Sequence, residues 1–318
     1  MKTKDLVVLV GVIGIVLMMI VPVNVHLLDF LLIVNISIAV TMILVAMNTK
    51  EPLQFSIFPS LLLITTLYRL ALNISTTRNI LANAHAGKVV ETFGTFVAGG
   101  NLAVGFIVFL ILVVVQFIVI TRGAERVAEV GARFTLDAMP GKQMSIDADL
   151  NSGLINEQEA KERRAKIESE ADFYGAMDGA MKFVKGDAIA TIVIVFINLI
   201  GGLIIGVSMM GFSIGEAMEV YSILTIGDGL VSQIPALLIS TAAGIIVTRT
   251  ASEENMAQDI LQQMTAYPRL LYIVGGTIGA LGLFTPIGPV LTAPVGGALA
   301  FAGYRMDRML RKKQVEQE

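Results

Sequence analysis

Two carboxylates at the edges of apolar segments are the residues of this chain best suited to chemistry. Asp187 opens an apolar run shortly after Lys182, and Asp228 lies between Gly227 and Gly229 at the start of another. A carboxylate retained in hydrocarbon costs roughly 2.5–3.5 kcal/mol, so such a residue is expected to bind a proton or an ion. Either aspartate could instead cap a helix N-terminus by accepting bonds from unpaired backbone N–H groups. Both interpretations stay open, and they are compatible with each other.

Two arginines lie in or beside the apolar run of residues 53–72. Arg69 falls inside that run and Arg78 follows it, on either side of Asn73. Arginine keeps its charge at physiological pH and is costly in lipid, so both side chains are expected to face protein or water. Structural pairing with other polar groups is the favoured interpretation of both.

Other kinds of site are disfavoured by the residue types. There is no Cys, and the two histidines, His26 and His85, lie far apart in the sequence, which argues against a metal site. Lys142 follows a glycine as in a phosphate loop, but Leu136 and Gln143 stand where that loop requires Gly and Ser or Thr. Without a nucleophile, base and orienting group, the chain is expected to be no enzyme and to hold no cofactor and no metal. The small net charge and the lack of a long basic tract argue against a nucleic-acid partner.

The elements that position these residues are membrane helices. Hydrophobic residues make up 55% of the chain and charged residues 15%, whereas a soluble domain is about a quarter charged. The composition therefore predicts an all-α polytopic membrane protein. A span needs about 20 residues. About eight apolar segments approach that length, the last two forming a hairpin across a Pro-rich junction: residues 6–23, 27–47, 53–72, 100–120, 188–208, 228–248, 270–285 and 287–304.

The distribution of basic residues predicts the orientation of these spans. Placing the N-terminus in the cytoplasm puts all but three of the 23 Lys and Arg residues on the cytoplasmic side, the exceptions being Arg69, Arg78 and Lys88. Cytoplasmic loops carry the excess of basic residues in membrane proteins. Both termini are therefore expected in the cytoplasm. The expected domains are residues 1–121 (four spans), 122–186 (a small cytoplasmic subdomain), 187–306 (four spans) and 307–318 (a basic cytoplasmic tail).

The cytoplasmic subdomain is expected to have two parts. Residues 122–150 are predicted to be irregular, because Gly131 and the Pro140–Gly141 pair interrupt them. A helix is predicted from Asn156, which forms a capping-box pattern with Glu159. Its narrow apolar stripe predicts that it packs on neighbours or lies solvated. Gly175 and Gly179 are expected to loosen the chain before residue 187.

A second capped helix is predicted on the outer face. Ser213 and Glu216 form another capping-box pattern, and an apolar stripe follows to Leu224. The sequence Gly227-Asp228-Gly229 is expected to break this short interfacial helix before the next span begins. Gly202 and Gly206 form a small-residue face that would let another helix approach closely.

The charged stretch after residue 125 carries a family resemblance. It resembles the signature of the FHIPEP family, the large export-gate proteins of type III secretion, whose pattern is R-x-x-E-V-x-A-R-F-x-L-D-x-x-P-G-K-Q-M-x-I-D. The likeness extends over essentially the whole chain, and the run EADFYGAMDGAMKF is more similar to the flagellar branch than to the virulence branch. The matching residues are Arg126, Glu129, Val130, Ala132, Arg133, Phe134, Leu136, Asp137, Pro140, Gly141, Lys142, Gln143, Met144, Ile146 and Asp147.

This resemblance implies a function in protein export. Family members form a homo-oligomeric ring, a nonamer in known assemblies, in the bacterial inner membrane at the flagellar basal body. They couple the protonmotive force to translocation of unfolded flagellar subunits. The implied partners are other flagellar export-gate membrane proteins, the export ATPase complex and the exported subunits. Family members also carry a large soluble domain after the last span, which docks export chaperones, so chaperone docking is not expected from these 318 residues.

The resemblance also assigns roles to residues. It implies that Arg78, Lys182, Asp187 and Asp228 take part in proton or ion coupling. The signature is implied to form an intersubunit loop through Arg126, Glu129, Arg133, Phe134, Asp137, Pro140, Gly141, Lys142, Gln143 and Asp147.

Three other functions remain as alternatives. One is the injectisome paralogue of the same gate. Another is an ion or solute secondary transporter, which broken helices and carboxylates at the membrane edge would suit. The third is a structural ring scaffold, in which Arg78, Lys182, Asp187 and Asp228 would all tolerate neutral substitutes.

Overall fold

The computed structural model describes residues 3–249, 256–265, 267–284 and 288–315, and the regular elements of these ranges are all helical. The chain divides into two compact units, Met1–Ala251 and Ser252–Glu318. The first unit contains α1 (Thr3–Ile20), α2 (Val25–Asn48), α3 (Phe58–Asn83), α4 (Lys88–Ala98), α5 (Leu102–Val115), α6 (Arg122–Asn151), α7 (Glu157–Ser208) and α8 (Ile214–Thr248). The second contains α9 (Met256–Thr265), α10 (Pro268–Phe284) and α11 (Pro289–Val315).

The predicted class, an all-α membrane protein, is confirmed. Among the described residues, five helical stretches are long and apolar enough to cross a membrane: Val25–Asn48, Pro52–Asn83, Leu102–Asn151, Glu157–Ser208 and Ile214–Thr248. Two shorter apolar helices, Val8–Ile20 and Pro268–Phe284, fall within other predicted spans. The count of eight spans and the domain boundaries stay predictions.

Helix α8 is the centre of the first unit. It packs against α2, α3, α4, α5, α6 and α7, and most of its residues from Tyr221 to Val247 are buried. The predicted small-residue face of α7 is one of these contacts, since Gly202 and Gly206 both lie against the ring of Tyr221. A Cβ at Gly202 would come within 2.1 Å of that ring. The glycines therefore let two helix backbones enclose a fully buried tyrosine.

The prediction of an irregular stretch at residues 122–150 was wrong. Helix α5 continues through a π-helical turn, Gln116–Thr121, into α6, which runs unbroken to Asn151. Pro140 removes one backbone bond on the exposed side of α6, at a cost of about 3 kcal/mol. The buried stripe of Ala128, Ala132 and Ile146 outweighs that cost, because tertiary packing stabilises helices more than propensity does.

Gly175 and Gly179, which were expected to loosen the chain before residue 187, lie within a continuous helix. Helix α7 runs 52 residues without interruption, about 78 Å at 1.5 Å per residue. Its predicted start is confirmed: Asn156 and Glu159 form a complete capping box. The first half of α7 packs on α6 around Ile146, Ile155 and Ala160, so the two helices form a hairpin that we call the α6–α7 hairpin.

Helix α8 is likewise continuous where a break was predicted. It begins at the expected cap, where Ser213 accepts a bond from the Glu216 N–H, and continues through Gly227-Asp228-Gly229. These two glycines do not interrupt the helix. They leave room for α4, whose Val90 carbonyl lies against Gly227, and for α5, whose Phe109 ring lies against Gly229. The predicted interfacial helix is therefore the first part of a longer one.

Helix α3 is longer than predicted, and α4 was not foreseen. The apolar run 53–72 becomes part of a helix ending at Asn83, because the polar residues of its second half, among them Asn73, Ser75 and Thr76, face other helices. A hydropathy profile predicts the end of a span at such residues, whereas in the folded chain they are buried with their polar atoms hydrogen-bonded.

The second unit contains a hairpin of α10 and α11. The two helices pack closely where Gly275 faces Gly296, whose backbone also approaches Gly279. Pro289 begins α11 and Pro294 lies inside it. The predicted tight turn at residues 285–287 lies outside the described residues.

Candidate functional site

Asp187 and Asp228 are both buried inside helices, with 2% and 3% of their surfaces exposed. Asp187 lies in the middle of α7 and Asp228 in the middle of α8. The interpretation of either residue as an N-terminal cap was therefore wrong. It failed because both helices begin far upstream, at Asn156 and Ser213.

Asp187 forms a buried ion pair with Arg69. The Arg69 guanidinium donates through Nη2 to Asp187 Oδ2, joining α3 to α7. Both side chains are almost fully enclosed, with 2% and 0% exposed. The structural pairing expected of Arg69 is thus present. Removing one partner from such a pair leaves an uncompensated buried charge.

Asp228 has polar neighbours of a different kind. Its Oδ2 accepts a hydrogen bond from Asn198 Nδ2 at 3.1 Å. Thr76 is a second polar neighbour, and its own hydroxyl donates to the Asn73 carbonyl at 3.0 Å. Among the residues that the structure describes, the ion pairs do not include Asp228. Its carboxyl group is therefore held by neutral hydrogen-bonding groups, whereas that of Asp187 is held by a fixed positive charge.

A row of hydrogen-bonded polar side chains runs from α8 across α3 to α7, between the two aspartates. Ser232 Oγ donates to Asn73 Oδ1 at 2.6 Å, and Asn73 Nδ2 donates to Thr191 Oγ1 at 3.4 Å. Thr191 Oγ1 donates in turn to the Asp187 carbonyl at 3.0 Å. We call this set the polar seam, contributed by α3, α7 and α8: Arg69, Asn73, Thr76, Asp187, Thr191, Asn198, Asp228 and Ser232.

The polar seam extends through a large part of the first unit. Asp187 and Asn198 are separated by eleven residues of α7, which is roughly 16 Å of helix at 1.5 Å per residue. A bilayer's hydrocarbon core is about 30 Å thick. The seam therefore extends along a length of α7 equal to about half that thickness.

Several buried polar atoms along the seam have no hydrogen-bond partner. These atoms include Nε and Nη1 of Arg69, Oδ1 of Asp187 and Oδ1 of Asn198, and the hydroxyl groups of Thr66 and Thr225 are in the same situation. Buried polar groups without protein partners are normally satisfied by ordered water. These atoms are the positions along the seam at which a water molecule or an ion would bind.

Arg78 forms contacts away from both aspartates. It donates to the carbonyl oxygens of Met19 and Ile20 at 3.0 and 2.9 Å, and Ser75 donates to that of Met18 at 3.0 Å. These bonds satisfy the free carbonyl groups at the C-terminus of α1. In the structure, Arg78 therefore secures α1 to α3, as structural pairing predicted.

The lysines near Asp187 also differ in their contacts. Lys182 is exposed and pairs with Asp178 on its own helix at 2.7 Å. Lys185 reaches α6, where it pairs with Glu125 at 3.0 Å. Sequence reasoning emphasised Lys182, but it is Lys185 that connects two helices close to Asp187.

Sequence reasoning missed most of the polar seam. Thr76, Thr191, Asn198 and Ser232 were not singled out. A signal existed, because Arg69, Asn73 and Thr76 recur at the spacing of one helix face. The partners on α7 and α8 follow only from how the helices pack.

A family model described as FHIPEP family matches residues 15–318. The chain belongs to the FHIPEP family. Flagellar biosynthesis protein FlhA of Bacillus subtilis is 62% identical over 314 residues, which is 99% of this chain and 46% of that protein. Low calcium response locus protein D of Yersinia pestis is 52% identical over 309 residues, 96% of this chain and 44% of that protein. Flagellar biosynthesis protein FlhA of Salmonella typhimurium is 56% identical over 271 residues, 84% of this chain and 39% of that protein.

The chain therefore spans less than half the length of these relatives. No solved structure matches it. Among the described residues, no cluster of three or more His, Cys, Asp or Glu side chains could hold a metal ion.

The FHIPEP signature lies on α6, where Ala132 and Ile146 are buried and the residues assigned to the intersubunit loop are exposed. Arg126 pairs with Glu129 at 2.7 Å, and Arg133 lies 3.9 Å from Asp137, so the charges are satisfied along one exposed helix face. Phe134 lies between them with 69% of its surface exposed. The other residues assigned to the intersubunit loop are exposed as well: Pro140, Gly141, Lys142, Gln143 and Asp147. Of these, Lys142 pairs with Glu170 at 2.9 Å and Asp147 with Arg164, both across the α6–α7 hairpin.

Proposed function

We propose that this chain is part of an export gate of a bacterial type III secretion apparatus, and that Asp187 couples the protonmotive force to translocation of unfolded subunits. The observation that carries the proposal is the buried ion pair between Asp187 and Arg69 inside an apolar helix bundle. The flagellar form of the apparatus is favoured, because identity is higher to the FlhA relative of Bacillus subtilis than to the Yersinia virulence relative. The injectisome form is the alternative.

The coupling step is protonation of the Asp187 carboxylate. Arg69 cannot give up its charge, so a proton on Asp187 leaves a buried guanidinium without its counter-ion. The pair then separates or takes up water, and α7 loses its ionic contact with α3. One proton crossing 100 mV supplies about 2.3 kcal/mol, enough to shift an equilibrium between two helix arrangements substantially.

Helix α7 carries this change to the α6–α7 hairpin. Asp187 lies 31 residues from the cap at Asn156 along one unbroken helix, a distance of about 46 Å. Lys185, two residues before Asp187, is paired with Glu125 on α6. A small displacement of α7 at Asp187 would therefore move the hairpin relative to the membrane helices.

The chain acts as one component of a membrane assembly. The chain lies in the inner membrane at the flagellar basal body, with both termini and the α6–α7 hairpin in the cytoplasm. It forms a homo-oligomeric ring with other export-gate membrane proteins, and it acts with the export ATPase complex on exported subunits. The exposed part of the FHIPEP signature supports contact with a neighbouring subunit, since Phe134 is 69% exposed beside charges that are paired along α6 itself.

The proposal is tested by replacing Asp187 with Asn in the full-length protein in cells. We expect secretion of flagellar subunits to fall at least tenfold at normal protein levels, because the amide cannot bind and release a proton. Asp172→Asn is the matched control, since it removes an exposed carboxylate from the same helix. Normal secretion by the Asp187→Asn variant would rule out the coupling role and leave the structural scaffold as the better interpretation.

A further inference from the structure

Helix α4 closes against α8 beside the Asp228 end of the polar seam. A Cβ at Gly227 would lie 1.9 Å from the Val90 carbonyl oxygen of α4, and one at Gly94 would lie 2.2 Å from the Ile223 carbonyl oxygen. The two backbones therefore touch directly over one turn of each helix. Val90 of α4 also packs in one cluster with Leu224 and Val231, which lie one turn before and one turn after Asp228 on α8, so α4 covers the neighbourhood of the buried carboxylate.

The connections at both ends of α4 are suited to movement. Gly87 precedes the helix with φ +104°, and Gly99 and Gly100 follow it with φ +49° and +82°. Residues with positive φ at the ends of a short element are natural hinges, because glycine changes backbone conformation at little cost. The contacts of α4 with α8 and α5 are mainly apolar, through Val90, Phe93 and Val97.

Besides this packing, one carboxylate ties the start of α4 to another helix. Asp29 of α2 accepts hydrogen bonds from the backbone N–H groups of Lys88 and Val89, both at 3.0 Å. These are two of the four N–H groups that a helix start leaves unpaired. In the described residues, the hydrogen bonds that join α4 to another helix both end on Asp29. Removing its carboxyl group would leave only apolar packing to keep α4 closed.

We propose that α4 is a hinged lid over the Asp228 end of the polar seam, and that Asp29 is the positioning residue that latches it shut. Opening the lid admits water to the Thr76–Asp228–Asn198 cluster from the end of the bundle where α3 ends. The inference rests on the proposed function only for the identity of what is admitted, namely protons or hydrated ions. The lid geometry itself is independent of whether Asp187 binds a proton.

The chain contains no cysteine, so a single introduced thiol reports access to the seam. Thr76→Cys places the reporter next to Asp228, and Thr66→Cys places a control reporter on the same helix, one turn before Arg69; both positions are fully buried. The rate of modification by a charged, membrane-impermeant methanethiosulfonate reagent is measured in cells and in inverted vesicles. Each reporter is combined with Asp29→Ala, and with Glu219→Ala as a control for an exposed carboxylate on α8.

We expect Asp29→Ala to raise the modification rate at Thr76→Cys by at least tenfold from one side of the membrane, with no change at Thr66→Cys. Glu219→Ala should change neither rate. An unchanged rate at Thr76→Cys would overturn the lid. A similar rise at both reporters would also overturn it, because that result means general loosening of the bundle.

The same measurement separates this proposal from the coupling role of Asp187. Adding Asp187→Asn to each reporter should leave the effect of Asp29→Ala in place, since the latch does not involve that carboxylate. If secretion tolerates Asp187→Asn but labelling still depends on Asp29, the coupling proposal fails and the lid stands. If the labelling rate does not change on Asp29→Ala but secretion is lost on Asp187→Asn, the lid proposal fails and the coupling proposal stands.

Discussion

Arg69 and Asp187 are held in place by each other. The guanidinium keeps its charge at any physiological pH, and both partners of the pair, on α3 and α7, are almost completely buried. Arg69 also has two buried nitrogen atoms without a protein partner, which is an unusual arrangement for a purely structural contact. Breaking the pair from one side is therefore costly, because either partner left alone is an unpaired buried charge.

Substitutions in this pair test that interpretation at the residue scale. Arg69→Ala should lower the free energy of unfolding by about 3–5 kcal/mol, because it leaves a buried carboxylate unpaired. The double variant Arg69→Met/Asp187→Leu should recover most of that loss while secretion stays low. Thermal denaturation in detergent and a secretion assay check the two statements. A double variant that secretes normally would contradict the coupling role.

Neighbouring lysines on α7 provide a second residue-scale prediction. Lys185→Ala should impair secretion more than twofold, because it removes the ion pair with Glu125 that connects α7 to α6. The charge exchange Lys185→Glu/Glu125→Lys should restore at least half of the loss. Lys182→Ala, whose partner Asp178 lies on the same helix, should change stability by less than about 0.5 kcal/mol. Equal stability losses in Lys185→Ala and Lys182→Ala would argue against the idea that only the Lys185 pair connects two helices.

At the scale of elements, glycines in the middle of helices were misinterpreted from sequence as breaks. Gly227 lies in a continuous α8 and serves close packing, as does Gly131, where a Cβ would lie 2.9 Å from the Val247 side chain. The helix caps at Asn156 and Ser213 were predicted correctly, because the capping residues and their backbone partners are three positions apart. A glycine inside a helix, by contrast, can be required by the close approach of another helix, and no local sequence pattern shows that contact.

Alanine substitution of two glycines of α8 tests whether Gly227 is needed for close packing against α4. Gly227→Ala should lower the midpoint of thermal unfolding by several degrees, because its methyl group has no room beside the Val90 carbonyl. Gly244→Ala in the same helix faces open space and should raise stability by up to about 1 kcal/mol through helix propensity. If both variants behave alike, the close approach of α4 is not a feature of the folded protein.

At the scale of the whole molecule, the chain exposes the surface that identifies its family. Ten residues of the FHIPEP signature are assigned to subunit contact, and all ten are exposed on α6. Phe134 is one of them, and the exposed Met144 lies next to them in the signature. Exposed apolar residues framed by paired charges are typical of protein contact sites. Assembly with a second copy of the chain would bury them.

Substitution of Phe134 tests assembly. Phe134→Asp should reduce the fraction of the detergent-solubilised protein that migrates as a high-mass oligomer, because the charge must be desolvated at the contact. Leu154→Asp is the matched control, since Leu154 is 76% exposed in the turn of the α6–α7 hairpin and lies outside the signature. The mass of the oligomer is measured under native conditions for both variants. An unchanged oligomer in Phe134→Asp would refute the subunit contact.

The sequence by itself determined the helical membrane class, the family, the helix caps and the two aspartates, because composition, local spacing and a dense signature carry that information along the chain. Only the tertiary structure decided what those aspartates contact. Arg69 and Asp187 are 118 positions apart, as are Asn73 and Thr191, and Ser232 is 159 positions from Asn73. Such pairs depend on which helix faces meet, and apolar helices of similar composition could pack in many ways. The polar seam, the continuity of α8 and the lid-like position of α4 are consequences of that packing.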